Sequence, residues 1–539
     1  MKTVGAELFI IALISLSMLL SGAMLAFIAW ITSYPVEIPP IGEYVFDRIN
    51  PLLWPSLSLA FTGLYLVSKI FKKPRSVYSF AFVLLLHIHY TFFPLLPGSD
   101  SHYFRGLTNL FSKVALNPNL HKYFQWPSFF ITSNFLMLTL DLDVGVVSKL
   151  IFIVIGFVAT LVLFLFYSSQ KGELGFLGVA LYFMSLFYFI NYQYAPQSLA
   201  LALFLLLISQ VIKGATQSIV TLLLIFIGLI LTHSFYPIYF LLFLSVLMIL
   251  RNGSGNFKRS YLKLLLPLCV VAYACYVIYV AAFYFNDLIK ALSSIVIAFQ
   301  EEHEYAYIVR RTIQSKPVSE LDAIAQAFSR GITLSLWAIT SLGFMYMLLR
   351  KKVNSYNLAL FMSGVIHFLI SAFFNVLGGR ALQVLFIPLV FGIKLFLEKY
   401  EKVVKTYLLL VFLLFPLVII HSTYDFRLVQ TVSGKRASDI LLEHIRGPIR
   451  ILAAPTDGYY IYGSVPMGLV DVMNPRFIEL NQLLAKRHVF IIYNPPLERE
   501  LLYASDLNHS QIYFLQKHFL LNYNKCWDDG YTQLLSSSQ

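Results

Sequence analysis

Apolar residues run along this chain in long stretches broken by short polar segments. Neither an amphipathic surface helix nor an alternating strand produces that pattern. Each stretch is close to the length, about twenty residues, at which a helix crosses a bilayer. About thirteen can be drawn, at 7–31, 52–71, 77–96, 146–167, 173–190, 196–212, 216–232, 235–250, 262–285, 332–349, 356–375, 381–398 and 404–421. The pattern predicts an all-α polytopic membrane bundle over residues 1–421. From Tyr424 onward charged and turn residues rise, and short β-like runs at 449–453 and 488–493 alternate with helix-like stretches at 437–446 and 508–521. That alternation predicts a small α/β domain over residues 422–539.

Threading the spans alternately sorts the loops by charge. One side receives Lys2, the Lys72, Lys73 and Arg75 cluster, Lys171, Lys213, the basic 251–263 loop, the 350–352 cluster and the 399–405 segment. The positive-inside bias makes that side, and the N-terminus, cytoplasmic. The other side receives 32–51 with Glu37, Glu43 and Asp47, then 97–145, 191–195, 286–331 and 376–380. An odd number of spans places the C-terminal domain on this second, extracytoplasmic side.

Composition agrees with the pattern. The 539 residues are 58% hydrophobic and 12% charged, with a mean hydropathy of +0.73, whereas soluble domains are about a quarter charged. The net charge of +13 sits mostly in short loops as a topology signal, which excludes a nucleic-acid partner. Three cysteines, two of them in an apolar stretch, indicate neither a disulfide framework nor a zinc site. The apolar run after Lys2 is longer than a signal-peptide core and predicts an uncleaved first span.

The extracytoplasmic side collects the polar residues that could carry chemistry. Asp100 follows a span directly, where partial desolvation would strengthen it as a base; it is also a suitable cap for a helix starting near Ser101. His102 stands beside it. The turn from Asn191 to Ser198, with Tyr194 and Gln197, is rich in amide and phenol groups that are costly in hydrocarbon unless they line a wet cavity or bind a ligand. His233 marks another span end. In the long loop after the ninth span, Glu301, Glu302 and Glu304 surround His303 and could hold a divalent cation, magnesium or manganese, or they form a solvated charge run. Arg380, after Gly378 and Gly379, suits an anionic phosphate, although snorkelling also explains such an arginine.

Four of these places resemble the GT-C superfamily of membrane glycosyltransferases: Asp100-Ser101-His102 with Gln125-Trp126-Pro127 at the end of the same loop, Tyr194-Ala195-Pro196-Gln197 before a span, Gly379-Arg380 before a late span, and an outer C-terminal domain. Here the acidic loop follows the third span, whereas the family usually carries it after the first, and the tail lacks the WWD-type motif of the oligosaccharyltransferases. The resemblance implies transfer of a single sugar from a polyprenyl-phosphate carrier to a glycan, lipid or protein acceptor, with inversion. Asp100 would be the base, and His102 would orient it or contact the phosphate. Arg380, Tyr194, Gln197 and His233 would hold donor and phosphate, with a divalent cation near Glu301, Glu302 and Glu304 beside them. A lipid-linked sugar transporter or flippase, or a polysaccharide polymerase or ligase, shares many spans and outward polar groups. No Gly-rich phosphate loop follows a strand in the tail, so a nucleotide-sugar fold is not expected there.

Overall fold

The computed structural model describes residues 2–33, 50–71, 75–87, 99–113, 121–169, 174–186, 194–213, 218–250, 259–281, 320–373, 378–423, 432–444 and 449–453. In the rest of the tail it describes 457, 460–461, 464, 470–473, 489–493, 497, 511, 513, 515, 517, 523–528 and 533–537. Glycines set the closest approach among its helices. Helices α1 (Lys2–Ser33) and α2 (Leu53–Ile70) form an antiparallel hairpin. A Cβ on Gly22 would lie 2.4 Å from the Ala60 nitrogen, and one on Gly63 would lie 2.5 Å from the Leu19 nitrogen. Only hydrogen fits at either position, so the two backbones touch.

Helices α3 (Arg75–His87), α4 (Ser99–Lys113), a 3-10 turn (Lys122–Gln125), α5 (Ser128–Leu140) and α6 (Val144–Ser169) follow. The 97–145 segment, expected as a loop, is therefore largely helical. The helix expected from about Ser101 is α4, which begins at Ser99; what its polar residues did not disclose is that Ser101, His102, Arg105 and Thr108 are all fully buried inside the protein. Helix α5 is apolar, but its 13 residues extend only about 20 Å, short of a bilayer core.

Then come α7 (Gly175–Leu186), α8 (Pro196–Lys213), α9 (Ile219–Thr232), α10 (Tyr236–Leu250) and α11 (Arg259–Tyr279). After residues 282–319 the chain continues through α12 (Glu320–Leu349), α13 (Ser355–Phe373), α14 (Gly378–Leu389), α15 (Gly392–Lys399) and α16 (Glu401–Thr423). The stretch expected as one span at 381–398 is two helices. It breaks just after Pro388, which cannot donate an amide to the turn before it. Among the described residues five helices hold segments long and apolar enough to cross a membrane: Phe9–Ala29, Val144–Ser168, Tyr261–Tyr279, Ala327–Leu349 and Glu401–Ile419. Aromatic packing ties distant helices together, as where Tyr65 stacks on Phe412 at 4.7 Å and Phe61 meets Phe415 edge-on at 5.8 Å.

The tail supplies α17 (Val432–His444) and a five-stranded sheet. Its strands are β1 (Ile449–Leu452), β2 (Val470–Met473), β3 (Val489–Tyr493), β4 (Tyr523–Asp528) and β5 (Gln533–Ser537), in the order β2-β1-β3-β5-β4. Strand β1 runs parallel to β2 and β3, while β5 is antiparallel to β3 and β4. Ala437 and Leu441 of α17 close over Ile451, Ile461, Ile492 and Leu534 to make a small core separate from that of the bundle. The helix expected at 508–521 lies mostly outside the described residues; Gln511, Tyr513, Leu515 and Lys517 are helical.

Candidate functional site

Helix α4 carries its polar groups inward. Ser101, Arg105 and Thr108 recur at intervals of four and three residues, which puts them on one face. That face meets the turn before α8. The Tyr194 amide donates to Ser101 Oγ at 3.1 Å, and the Tyr194 hydroxyl donates to Ser133 Oγ of α5 at 2.8 Å. The same hydroxyl lies 2.9 Å from Thr108 Oγ1. Burial pushes the Tyr194 phenol up to about 12, so it stays protonated and serves as a hydrogen-bonding post between three elements. Gln197, in the first turn of α8, is half-buried.

His102 Nδ1 meets Arg105 Nη2. A guanidinium can only donate, so this imidazole accepts at Nδ1 and is neutral, with its proton on Nε2. Arg105 is the residue that sequence reasoning passed over. It is fully buried. Desolvation pulls it down to about 10, and its electrostatic interactions with Tyr460, Tyr194, Asp143 and Asp439 act in the opposite direction. It remains a cation at neutral pH. The signal that could have found it is the polar stripe 101, 105 and 108 set among Phe104, Leu107, Leu110 and Phe111.

A second group surrounds His233, which is buried at the end of α9 and accepts from the Phe235 amide at 3.1 Å. Its ring lies edge-on to Tyr236 at 5.3 Å, and the Tyr236 hydroxyl donates to Gln383 Oε1. Gln383 is three residues past Arg380, on the same helix, so His233 lies near the first turn of α14. The two groups are connected through α11. Tyr273 donates to the Ser234 carbonyl at 2.7 Å, and Tyr276, one turn further on, donates to the Gln125 carbonyl. In the segment containing Gln125, His121 Nδ1 accepts from the Tyr123 amide at 3.2 Å, and His121 Nε2 lies 2.9 Å from the Tyr103 hydroxyl of α4. The segments around 101–108, 121–125, 194 and 233–236 and the start of α14 thus gather at one end of the bundle.

Asp100 is the second residue of α4, in a first turn where the helix dipole favours a carboxylate. Arg380 is the third residue of α14. The side chains of both lie outside what the structure describes, and Glu301, Glu302 and Glu304 lie outside the described residues altogether. Among the described residues no three His, Cys, Asp or Glu side chains come together as a metal site.

Beside the α4 group, a cavity of about 820 Å³ opens between the bundle and the tail. Asn109 and Lys113 of α4 and Asp143 and Lys149 at the start of α6 form one wall; Asp439 and Glu443 of α17 form the other. Tyr460 closes the tail side and donates to Asp439 Oδ1 at 2.9 Å.

Compared with family models and with curated proteins, the chain matches none.

Proposed function

We propose that the chain is an integral membrane glycosyltransferase that takes a sugar from a polyprenyl-phosphate carrier and passes it to an acceptor on the extracytoplasmic face. The bundle lies in the bilayer with the α4 end outward and the tail on that side; the apolar helices and the basic opposite loops support this setting. One observation carries the reading: the α4 face and the Tyr194 turn are locked together, at the same end of the bundle as His233 and the first turn of α14. The residues that the GT-C resemblance needs near one another belong to these segments.

In this reading Asp100 accepts the proton of an acceptor hydroxyl. The hydroxyl oxygen attacks the anomeric carbon, the bond from that carbon to the phosphate oxygen breaks, and its electron pair leaves on the lipid phosphate. Arg380 stabilises that charge. The displacement inverts the anomeric centre. His102, two residues from Asp100, orients that base or contacts the phosphate; Tyr194, Gln197 and His233 shape the donor pocket. Glu301, Glu302 and Glu304 would hold a divalent cation, which would supply further positive charge to the leaving phosphate.

The test supplies polyprenyl-phosphate sugar and mixed acceptors to the purified protein in lipid nanodiscs. Asp100→Asn should lower transfer by about 10²- to 10⁴-fold, the usual contribution of a positioned base, without changing yield or monodispersity. Undiminished transfer removes Asp100 from the chemistry. Movement of the lipid-linked sugar across a vesicle with no transfer would favour a flippase instead.

A further inference from the structure

The cavity between bundle and tail has no part in the bond-making step. Asn109 is nine residues along α4 from Asp100, about 14 Å along the axis, so a group held at Asn109 is not the reacting one. The lining nevertheless has a definite chemistry. Lys113, Lys149 and Asn109 offer donors, and Asp143, Asp439 and Glu443 offer acceptors, within one space. Its volume falls in the range of about 300–1,000 Å³ typical of pockets that enclose small-molecule ligands.

We propose that this cavity is a glycan-binding site, built jointly by bundle and tail, that holds the part of the acceptor remote from the reacting hydroxyl. Every sugar hydroxyl both donates and accepts, so it suits a lining of mixed amines, amide and carboxylates. A bare phosphate would call for cations unaccompanied by carboxylates, and a lipid chain for apolar walls. Both walls are already ordered. Asp143 Oδ1 accepts from the Gly145 and Val146 amides at 2.5 and 3.3 Å. On the tail side Lys435 bridges to Asp439 Oδ2 at 2.8 Å, with its ammonium 5.8 Å from the centre of the Tyr460 ring. Arg105, buried behind them, interacts electrostatically with Asp143 on one wall and with Asp439 and Tyr460 on the other. A prearranged lining of this kind lowers the ordering cost of binding. The assignment of the glycan as acceptor rests on the transferase reading; its recognition in the cavity does not.

The test is binding, measured apart from turnover. The full chain in nanodiscs is applied to a panel of defined lipid-free oligosaccharides, and to the same glycans carried on lipid in vesicles. Retention of at least one oligosaccharide is expected, weakened about tenfold by Glu443→Gln and by Lys113→Gln, as loss of a hydrogen bond to a charged group implies. Both side chains are exposed, so both variants should fold, and monodispersity checks this. Retention of the free form identifies the glycan itself as the ligand; retention only of the lipid-carried form identifies a lipid-linked acceptor headgroup. No retention in either form, retention that ignores both substitutions, or retention governed only by anionic groups overturns the proposal. Retention without any sugar transfer would count against the transferase reading alone, and transfer without glycan retention against the cavity alone.

Discussion

Arg105 keeps its charge although none of its surface reaches solvent. Burial of an arginine is tolerated where surrounding dipoles and anions replace water, and here Tyr460, Tyr194, Asp143 and Asp439 do so. Arg105→Ala would leave buried partners without their cation and open a void. The expected cost is about 1–3 kcal/mol, as for a buried acceptor left without its donor, read as a fall in thermal unfolding midpoint in detergent; an unchanged midpoint would show that the charge has no structural role. Tyr194→Phe is a finer change. It removes one hydroxyl and leaves those of Ser133 and Thr108 without that contact, for an expected loss of about 1–3 kcal/mol by the same measurement. Polar residues in an apolar chain were legible in the sequence as a cluster around 100–106. Which of them turn inward was not, because hydropathy reads a polar residue as solvated wherever it points.

At the scale of elements, apolar length was the strong signal and amphipathicity the weak one. Long runs such as α6 and α12 stand out by hydropathy alone. Helix α4 does not, since its mean hydropathy is near neutral and its polar face is buried against α5 and the Tyr194 turn. In the tail, β1, β3 and α17 coincide with the runs read at 449–453, 488–493 and 437–446. Strand β4 escaped notice because it carries Asn524, Lys525 and Asp528 at the end of the sheet order, where no second neighbour demands an apolar alternation. The α1–α2 hairpin depends on hydrogen at two positions. Gly22→Leu and Gly63→Leu should each separate the pair and reduce monodisperse protein on size-exclusion chromatography, whereas a substitution at Gly228, where a Cβ meets nothing within 4 Å, should not. Equal behaviour of all three would mean that the hairpin contact is dispensable.

For the whole molecule, the orientation proposed above predicts which cysteine a polar reagent can reach. Cys526 is exposed on β4, and Cys269 is buried in α11; Cys275 is exposed on the same helix, facing lipid in the membrane reading. A membrane-impermeant maleimide applied to intact cells should therefore label the chain through Cys526, with Cys526→Ser abolishing the signal. Labelling that requires permeabilised cells would invert the threading and put the tail, the cavity and the proposed chemistry in the cytoplasm.

Local order along the chain was enough to show that this is a helical, strongly apolar protein with a small mixed domain at its end, since backbone hydrogen bonding and apolar length act over a few turns. Folding alone decided that α4 turns its polar face inward, that Tyr194 fastens it to α5, and that residues near 109–149 and 435–464 enclose one cavity. Those contacts join positions as far apart in the chain as Asn109 and Ser464, and no short-range periodicity records which distant walls will meet.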